Sequence, residues 1–70
     1  MIIKCKDLLL FDPDALRVEY LSGLKYSYYI VADKNNKKYI IQGYQNEGIA
    51  RKNLDNLSKI YESGKAVIEI

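Results

Sequence analysis

The sequence predicts an α+β fold: an antiparallel β-meander of about four strands packed on one C-terminal amphipathic helix, followed by a short final strand (ββββαβ). Apolar and polar residues alternate in several segments of the first two-thirds of the chain. From Ile49 onward, apolar residues recur at steps of three and four. The last residues return to a β-type pattern. With 70 residues, the chain has room for one small domain, residues 1–70.

The strands are placed by alternation and by the turn signals between them. The run Leu8 to Phe11 is apolar throughout and too short to assign, and Asp12-Pro13-Asp14 is typical of a turn. The segment after it, with Leu16 and Val18 between charged residues, is typical of a half-buried strand. The strands are expected at 2–5, 15–21, 24–32, 38–44 and 66–70.

Two short turns set the expected register of the meander. Ser22-Gly23 is a two-residue hairpin signal that would pair Leu21 with Leu24. Asn35-Asn36 tolerates positive φ and would pair Ala32 with Tyr39. Because side chains alternate between faces, these two choices decide which residues share a face of the sheet.

The helix is expected from Glu47 to Ser63, since its apolar positions follow a 3.6-residue period. Asn46 is a suitable N-cap, and the carboxylate of Glu47 suits the positive end of the helix dipole. Gly64 fits the residue just beyond the C-cap, where a left-handed backbone commonly ends a helix.

One helix can cover only one face of the sheet, and neither face is plainly polar. We expect the helix to cover the face of Leu16, Val18, Val31 and Ile40. The other face would then expose tyrosines near two cations. The candidate ligand or partner site comprises Tyr26, Tyr28, Tyr39, Arg17 and Lys38. Two alternatives stay open. The tyrosines either pack within the sheet as ordinary strand residues or form the interface of a homo-oligomer.

Composition excludes several function classes. One cysteine, Cys5, and no histidine provide neither a disulfide nor the usual ligands of zinc or haem, so we expect no metal and no cofactor. A Ser-His-Asp or Cys-His centre is likewise excluded. We therefore expect no catalytic residues and no enzyme activity. The net charge of +2 argues against nucleic-acid binding. No apolar run approaches the ~20 residues that span a bilayer, and the N-terminal segment lacks a signal-peptide pattern. We expect a cytoplasmic protein without membrane contact.

The stretch Lys37-Lys38-Tyr39-Ile40-Ile41-Gln42-Gly43-Tyr44-Gln45-Asn46-Glu47, followed by Ala50 and Leu54-Asp55-Asn56-Leu57, resembles a group of small phage and prophage proteins. These proteins come from low-GC Gram-positive bacteria and often begin as Met1-Ile2-Ile3-Lys4 does. Gly48 departs from their pattern, which has a charged residue there. The resemblance implies a phage accessory protein and transfers no catalytic residue.

Three functions follow as hypotheses. The first is a non-enzymatic anti-defence protein that sequesters a nucleotide immune signal, such as a cyclic oligonucleotide or an ADP-ribose derivative. Its tyrosines would stack on a base, and Arg17 with lysines would hold phosphates. The second is a protein-binding inhibitor of a host defence complex, resembling anti-CRISPR proteins. The third is a phage accessory protein that associates only with itself. A homo-oligomer is expected in the first and third cases.

Overall fold

The computed structural model describes residues 1–64 and 66–70 and has the expected α+β architecture. Along the chain, two strands of a first sheet are followed by three strands of a second sheet, one helix and a last strand that returns to the first sheet. They are β1 (Ile2–Cys5), β2 (Leu8–Phe11), β3 (Ala15–Tyr20), β4 (Tyr28–Lys34), β5 (Lys37–Tyr44), α1 (Glu47–Glu62) and β6 (Val67–Glu69).

The strands form two sheets of three strands each, in the orders β2-β1-β6 and β3-β4-β5. The second sheet is an antiparallel meander of three of the four strands that the sequence predicts, and the first of the four, β1, lies in the other sheet. In the first sheet, β2 runs antiparallel to β1, and β6 returns parallel to β1 on its other side. The segment Leu8–Phe11, which the sequence left unassigned, is therefore a strand at the edge of this sheet.

One hydrophobic core joins both sheets and the helix. Its buried members include Ile3 and Ile68 from the first sheet, Ile30 and Ala32 from the second, and Leu57 from the helix. Burial of each large aliphatic side chain stabilises the fold by roughly 1.5–3 kcal/mol. The two sheets and the helix therefore depend on one another for their stability.

The helix begins at Glu47 as the sequence predicts and ends at Glu62, one residue before the predicted end. The Asn46 side chain accepts a hydrogen bond from the Ile49 backbone N–H at 2.9 Å, which satisfies one of the free donors of the first turn. At the other end, Gly64 adopts a φ of 87° and donates to the Tyr61 carbonyl at 3.0 Å. Glycine adopts such a left-handed backbone with little strain, which is why it commonly closes a helix.

The expected Ser22-Gly23 hairpin is wrong, and this changes the faces of the sheet. The connection spans residues 21–27, and Tyr20 pairs with Tyr28 instead of Leu21 with Leu24. Relative to the expected pairing, β4 is shifted by three residues against β3. An odd shift exchanges the two faces of a strand.

On β3 the helix covers the expected face, that of Leu16 and Val18, but on β4 and β5 it covers the face opposite to the one expected. Ile30 and Ala32 lie on the core side beside Leu16, whereas Val31 and Ile40 lie on the outer side of the sheet. The prediction that α1 covers Val31 and Ile40 is therefore wrong. Val31 is nevertheless fully buried.

The Asn35-Asn36 turn is confirmed, with φ values of 51° and 65°. Ala32 pairs with Tyr39 as predicted. Beyond Val31 the register shifts by one residue, because Val31 pairs with Ile40 whereas Ile30 pairs with Gln42. Ile41 is therefore the extra residue of a β-bulge, a feature that bends a strand and redirects its side chains.

Candidate functional site

The structure distributes the five sequence-predicted site residues over separate surfaces. Tyr28 and Tyr39 lie on the core side of the second sheet, and Tyr39 packs against the core. Arg17 and Lys38 lie on the outer side of that sheet. Tyr26 belongs to the loop between β3 and β4. The five side chains do not form the shared surface that the expected register would have given.

Arg17 and Lys38 belong to a network of four charges. The Arg17 guanidinium contacts Asp33 at 2.9 Å and Glu19 at 3.0 Å. The Lys38 ammonium contacts the same Glu19 carboxylate at 3.0 Å. The two cations are thus matched by two carboxylates, and neither is left free to hold a phosphate group.

These contacts shift the affinity of the carboxylates for protons. Hydrogen bonds from Lys38 and then from Arg17 hold the pKa of Glu19 below its ordinary value, and the hydrogen bond from Arg17 does the same for the pKa of Asp33. In return, the hydrogen bond to Asp33, followed by that to Glu19, raises the pKa of Arg17. The network is therefore fully charged at neutral pH.

Acid is expected to destabilise the protein through this network. A carboxyl with a lowered pKa takes up a proton less readily in the folded than in the unfolded chain. Its contribution is complete at neutral pH and is lost as the pH falls from the ordinary values, 3.8 for Asp and 4.5 for Glu, toward the lowered ones. Thermal melts at neutral and acidic pH measure the drop in Tm.

The Asp33→Asn variant is expected to melt lower at neutral pH and to lose less stability in acid, because one titrating group has been removed. Arg17→Gln is expected to reduce the drop in the same way, since it removes the main cause of the shift at Asp33. Equal acid-induced drops in the wild type and both variants would show that the network does not control acid stability.

A different group of residues surrounds a cleft at the edge of β5. This tyrosine cleft, of about 590 Å³, lies between the β1–β2 turn (residues 5–8) and the bulged part of β5 (residues 40–43), with Tyr26 and Tyr29 in its wall. It is shallow and more open to solvent than enclosed. Its polar side chains are Lys6 and Asp7 on the turn and Gln42 on β5.

Both walls of the tyrosine cleft are held by specific contacts. The Cys5 thiol donates to the Ile41 carbonyl at 3.1 Å and so ties the β1–β2 turn to the bulge. The Tyr26 backbone N–H donates to the Tyr29 hydroxyl at 2.8 Å. The rings of these two tyrosines meet edge to face, with centroids 6.4 Å apart. The cleft is thus attached to the core through Cys5, and Tyr29 in its wall is also buried.

Gly43 provides the space for these rings. It pairs with Tyr29 across the β4–β5 ladder. A Cβ atom at this position would lie 2.6 Å from carbons of both the Tyr26 and the Tyr29 ring. Only glycine leaves room for aromatic rings to lie this close to the strand.

Sequence reasoning identified Tyr26 and missed the other residues of this cleft. Tyr29, Gln42 and Gly43 meet because of the β-bulge, which has no signal in the residues themselves. Lys6 and Asp7 join them because β1 and β2 form a hairpin. This hairpin could be predicted only if Leu8–Phe11 was recognised as a strand. The backbone of Lys6 has a φ of 52°, typical of a tight turn.

No known protein family matches the chain, and searches among curated proteins and solved structures also give no match. Within residues 1–64 and 66–70, no helix is long and apolar enough to cross a membrane. In the same residues, no three side chains of His, Cys, Asp or Glu are grouped as ligands of a metal ion.

Proposed function

We propose that this chain is a non-catalytic binding protein that sequesters a small nucleotide-type molecule in the tyrosine cleft. The resemblance to phage accessory proteins suggests an anti-defence role, in which the ligand is a nucleotide immune signal in the host bacterial cytoplasm. The observation that carries the proposal is that Tyr26 and Gln42 border one open volume of about 590 Å³.

Each of these features suits part of a nucleotide. The half-buried ring of Tyr26 offers an apolar surface on which a base can stack. The Gln42 amide carries both donors and an acceptor, which match the hydrogen-bonding edge of a base. The volume lies within the range of small-molecule sites.

The charges at the cleft favour a ligand with few phosphates. Lys6 and Asp7 offset each other at the β1–β2 turn. A further cation, the ammonium of Lys25, lies 5.5 Å from the centre of the Tyr26 ring. Recognition then depends mainly on stacking and the amide, and binding is expected to weaken only modestly as salt is raised.

A binding role fits these groups better than a catalytic one. The chain has no histidine, and Asp7 is the one carboxylate among the side chains that line the cleft. Acid–base catalysis commonly uses positioned groups with matched pKa values, often in pairs. Sequestration requires only that the ligand be held.

The first test is native mass spectrometry of the purified protein with cyclic dinucleotides, cyclic trinucleotides and ADP-ribose isomers. We expect one class of these compounds to remain bound. For that compound, calorimetry on Tyr26→Ala is expected to show affinity reduced about tenfold or more, because base stacking contributes ~1–3 kcal/mol. Tyr61→Ala is the matched control, since this exposed helix tyrosine lies outside the cleft.

Two results would overturn the proposal. Absence of binding across the panel would favour the protein-binding alternative, in which the target is a host defence complex. Binding that Tyr26→Ala and Tyr61→Ala weaken equally would place the ligand elsewhere on the protein. Circular dichroism of both variants shows whether each remains folded.

A further inference from the structure

The first sheet has a second face, turned away from the core, that none of the described residues covers completely. Residues alternate along its strands, so that Ile3, Leu10 and Ile68 point into the core. Their neighbours form the outer face of the first sheet: Ile2, Lys4, Leu9, Phe11, Val67 and Glu69.

This face is mainly apolar and exposed. Leu9 is 55% exposed, Phe11 56% and Val67 49%. The pairing places Phe11, Ile2 and Val67 in one row across the sheet. Several large apolar residues together on the surface of a small protein usually mark an interface, whereas isolated ones do not.

We infer that the outer face of the first sheet is the interface of a homodimer, in which two copies pack these faces against each other. The charges on the face argue for a second copy as the partner. Lys4 and Glu69 lie side by side, with 3.9 Å between ammonium and carboxylate. A second copy related by two-fold rotation presents the same pair in reverse order, so that each Lys4 can meet a Glu69 of the partner.

The available area is sufficient for a weak dimer. Five side chains that are each roughly half exposed or more leave roughly 400–500 Å² per copy, taking about 150–200 Å² for each, near the lower end of the range for an aromatic side chain. Two copies then bury roughly 800–1,000 Å², the size of a weak, transient interface. Face-to-face sheets pack about 10 Å apart, and the result is a six-stranded sandwich. The inference does not depend on the proposed ligand, because the tyrosine cleft lies outside this face.

Sedimentation velocity of the full chain over a range of concentrations tests the dimer. The mass is expected to rise from 8.1 kDa toward twice that value, with a Kd in the micromolar range or weaker. Phe11→Lys is expected to weaken the dimer at least tenfold. Tyr61→Lys is the matched control, since both aromatic side chains are 56% exposed, and it should leave the Kd unchanged.

A charge exchange tests the orientation of the two copies. Lys4→Glu alone is expected to weaken the dimer, because the new carboxylate at position 4 then faces Glu69 of the partner subunit. The double variant Lys4→Glu with Glu69→Lys is expected to restore it. A monomer at all concentrations up to about 1 mM, or a dimer that Phe11→Lys leaves intact, would overturn the inference.

Discussion

Replacing Ile30 with alanine is expected to lower the free energy of unfolding by about 3 kcal/mol, within the usual range of ~2–5 kcal/mol for such a change in a core. Ile30 is fully buried at the centre of β4, where the second sheet meets the rest of the core. The loss combines the transfer free energy of the removed carbons with the cavity left behind. Urea unfolding, with equal slopes for wild type and variant, measures it.

Ile40→Ala is the control for this prediction. Ile40 lies on β5 in the same sheet, but it is on the outer side and 48% exposed. We expect a loss below about 1 kcal/mol there. If the Ile30 variant does not fold, Ile30→Val, with an expected loss of ~0.5–1.5 kcal/mol, makes the same comparison. A greater loss at Ile40 than at Ile30 would mean that the helix covers the other face.

Local signals account for the parts of the fold that the sequence predicts. The helix is defined by the 3.6-residue period of its apolar residues, and its ends by Asn46 and Gly64, each of which acts on its own turn. The Asn35-Asn36 turn is equally local, because both residues accept a positive φ. None of these features requires a contact with a distant part of the chain.

The faces of the sheet depend on contacts that no local pattern shows. The β3–β4 loop is closed by the Leu21 N–H, which donates to the Ser27 carbonyl at 3.0 Å, and by the bond from Tyr26 to the Tyr29 hydroxyl. Ser22-Gly23 lies inside this longer loop, and Gly23 still has a φ of 84°. Gly23 is thus a turn residue as predicted, but the loop around it is longer than predicted. The predicted register of β4 against β3 was therefore wrong by three residues, and Tyr28 and Tyr39 were assigned to the wrong side of the sheet.

The unassigned run Leu8–Phe11 has a similar explanation. A strand with one face in water shows alternation, and this segment shows none because both of its faces are apolar. Leu8 and Leu10 pack on the core side, whereas Leu9 and Phe11 lie on the outer face of the first sheet. The proposed dimer would explain why this strand lacks alternation, because its outer face would then also be buried.

The sequence predicted a tyrosine-rich binding surface, but not which residues form it. An excess of tyrosine, seven in 70 residues, indicated a binding surface, and Tyr26 does line the cleft. Arg17 and Lys38 were expected to hold phosphates, yet each lies against carboxylates across the sheet. Charge pairing between strands follows from register, so the error in the β3–β4 turn hid the ion pair between Arg17 and Asp33.

Gly43→Ala is expected to lower the free energy of unfolding by about 1–3 kcal/mol, the usual cost of overpacking. The new methyl group would lie 2.6 Å from ring carbons of Tyr26 and Tyr29. Tyr29 is buried and fixed in β4, so Tyr26 and its loop must move. The backbone of Gly43 is not left-handed, and the requirement is therefore one of space alone.

Gly48→Ala is the matched control, since a Cβ there meets only the Asn46 side-chain oxygen, at 3.4 Å. In the first turn of α1 this change should stabilise the protein by up to about 0.5–1 kcal/mol. Urea unfolding compares the two variants, and NMR of the tyrosine ring protons reports movement of Tyr26.

Because the same rings form the wall of the tyrosine cleft, Gly43→Ala should also weaken the binding of any ligand there, whereas Gly48→Ala should not. Unchanged stability and unchanged ring signals in Gly43→Ala would contradict the close packing over this glycine and remove the wall on which the proposed site depends.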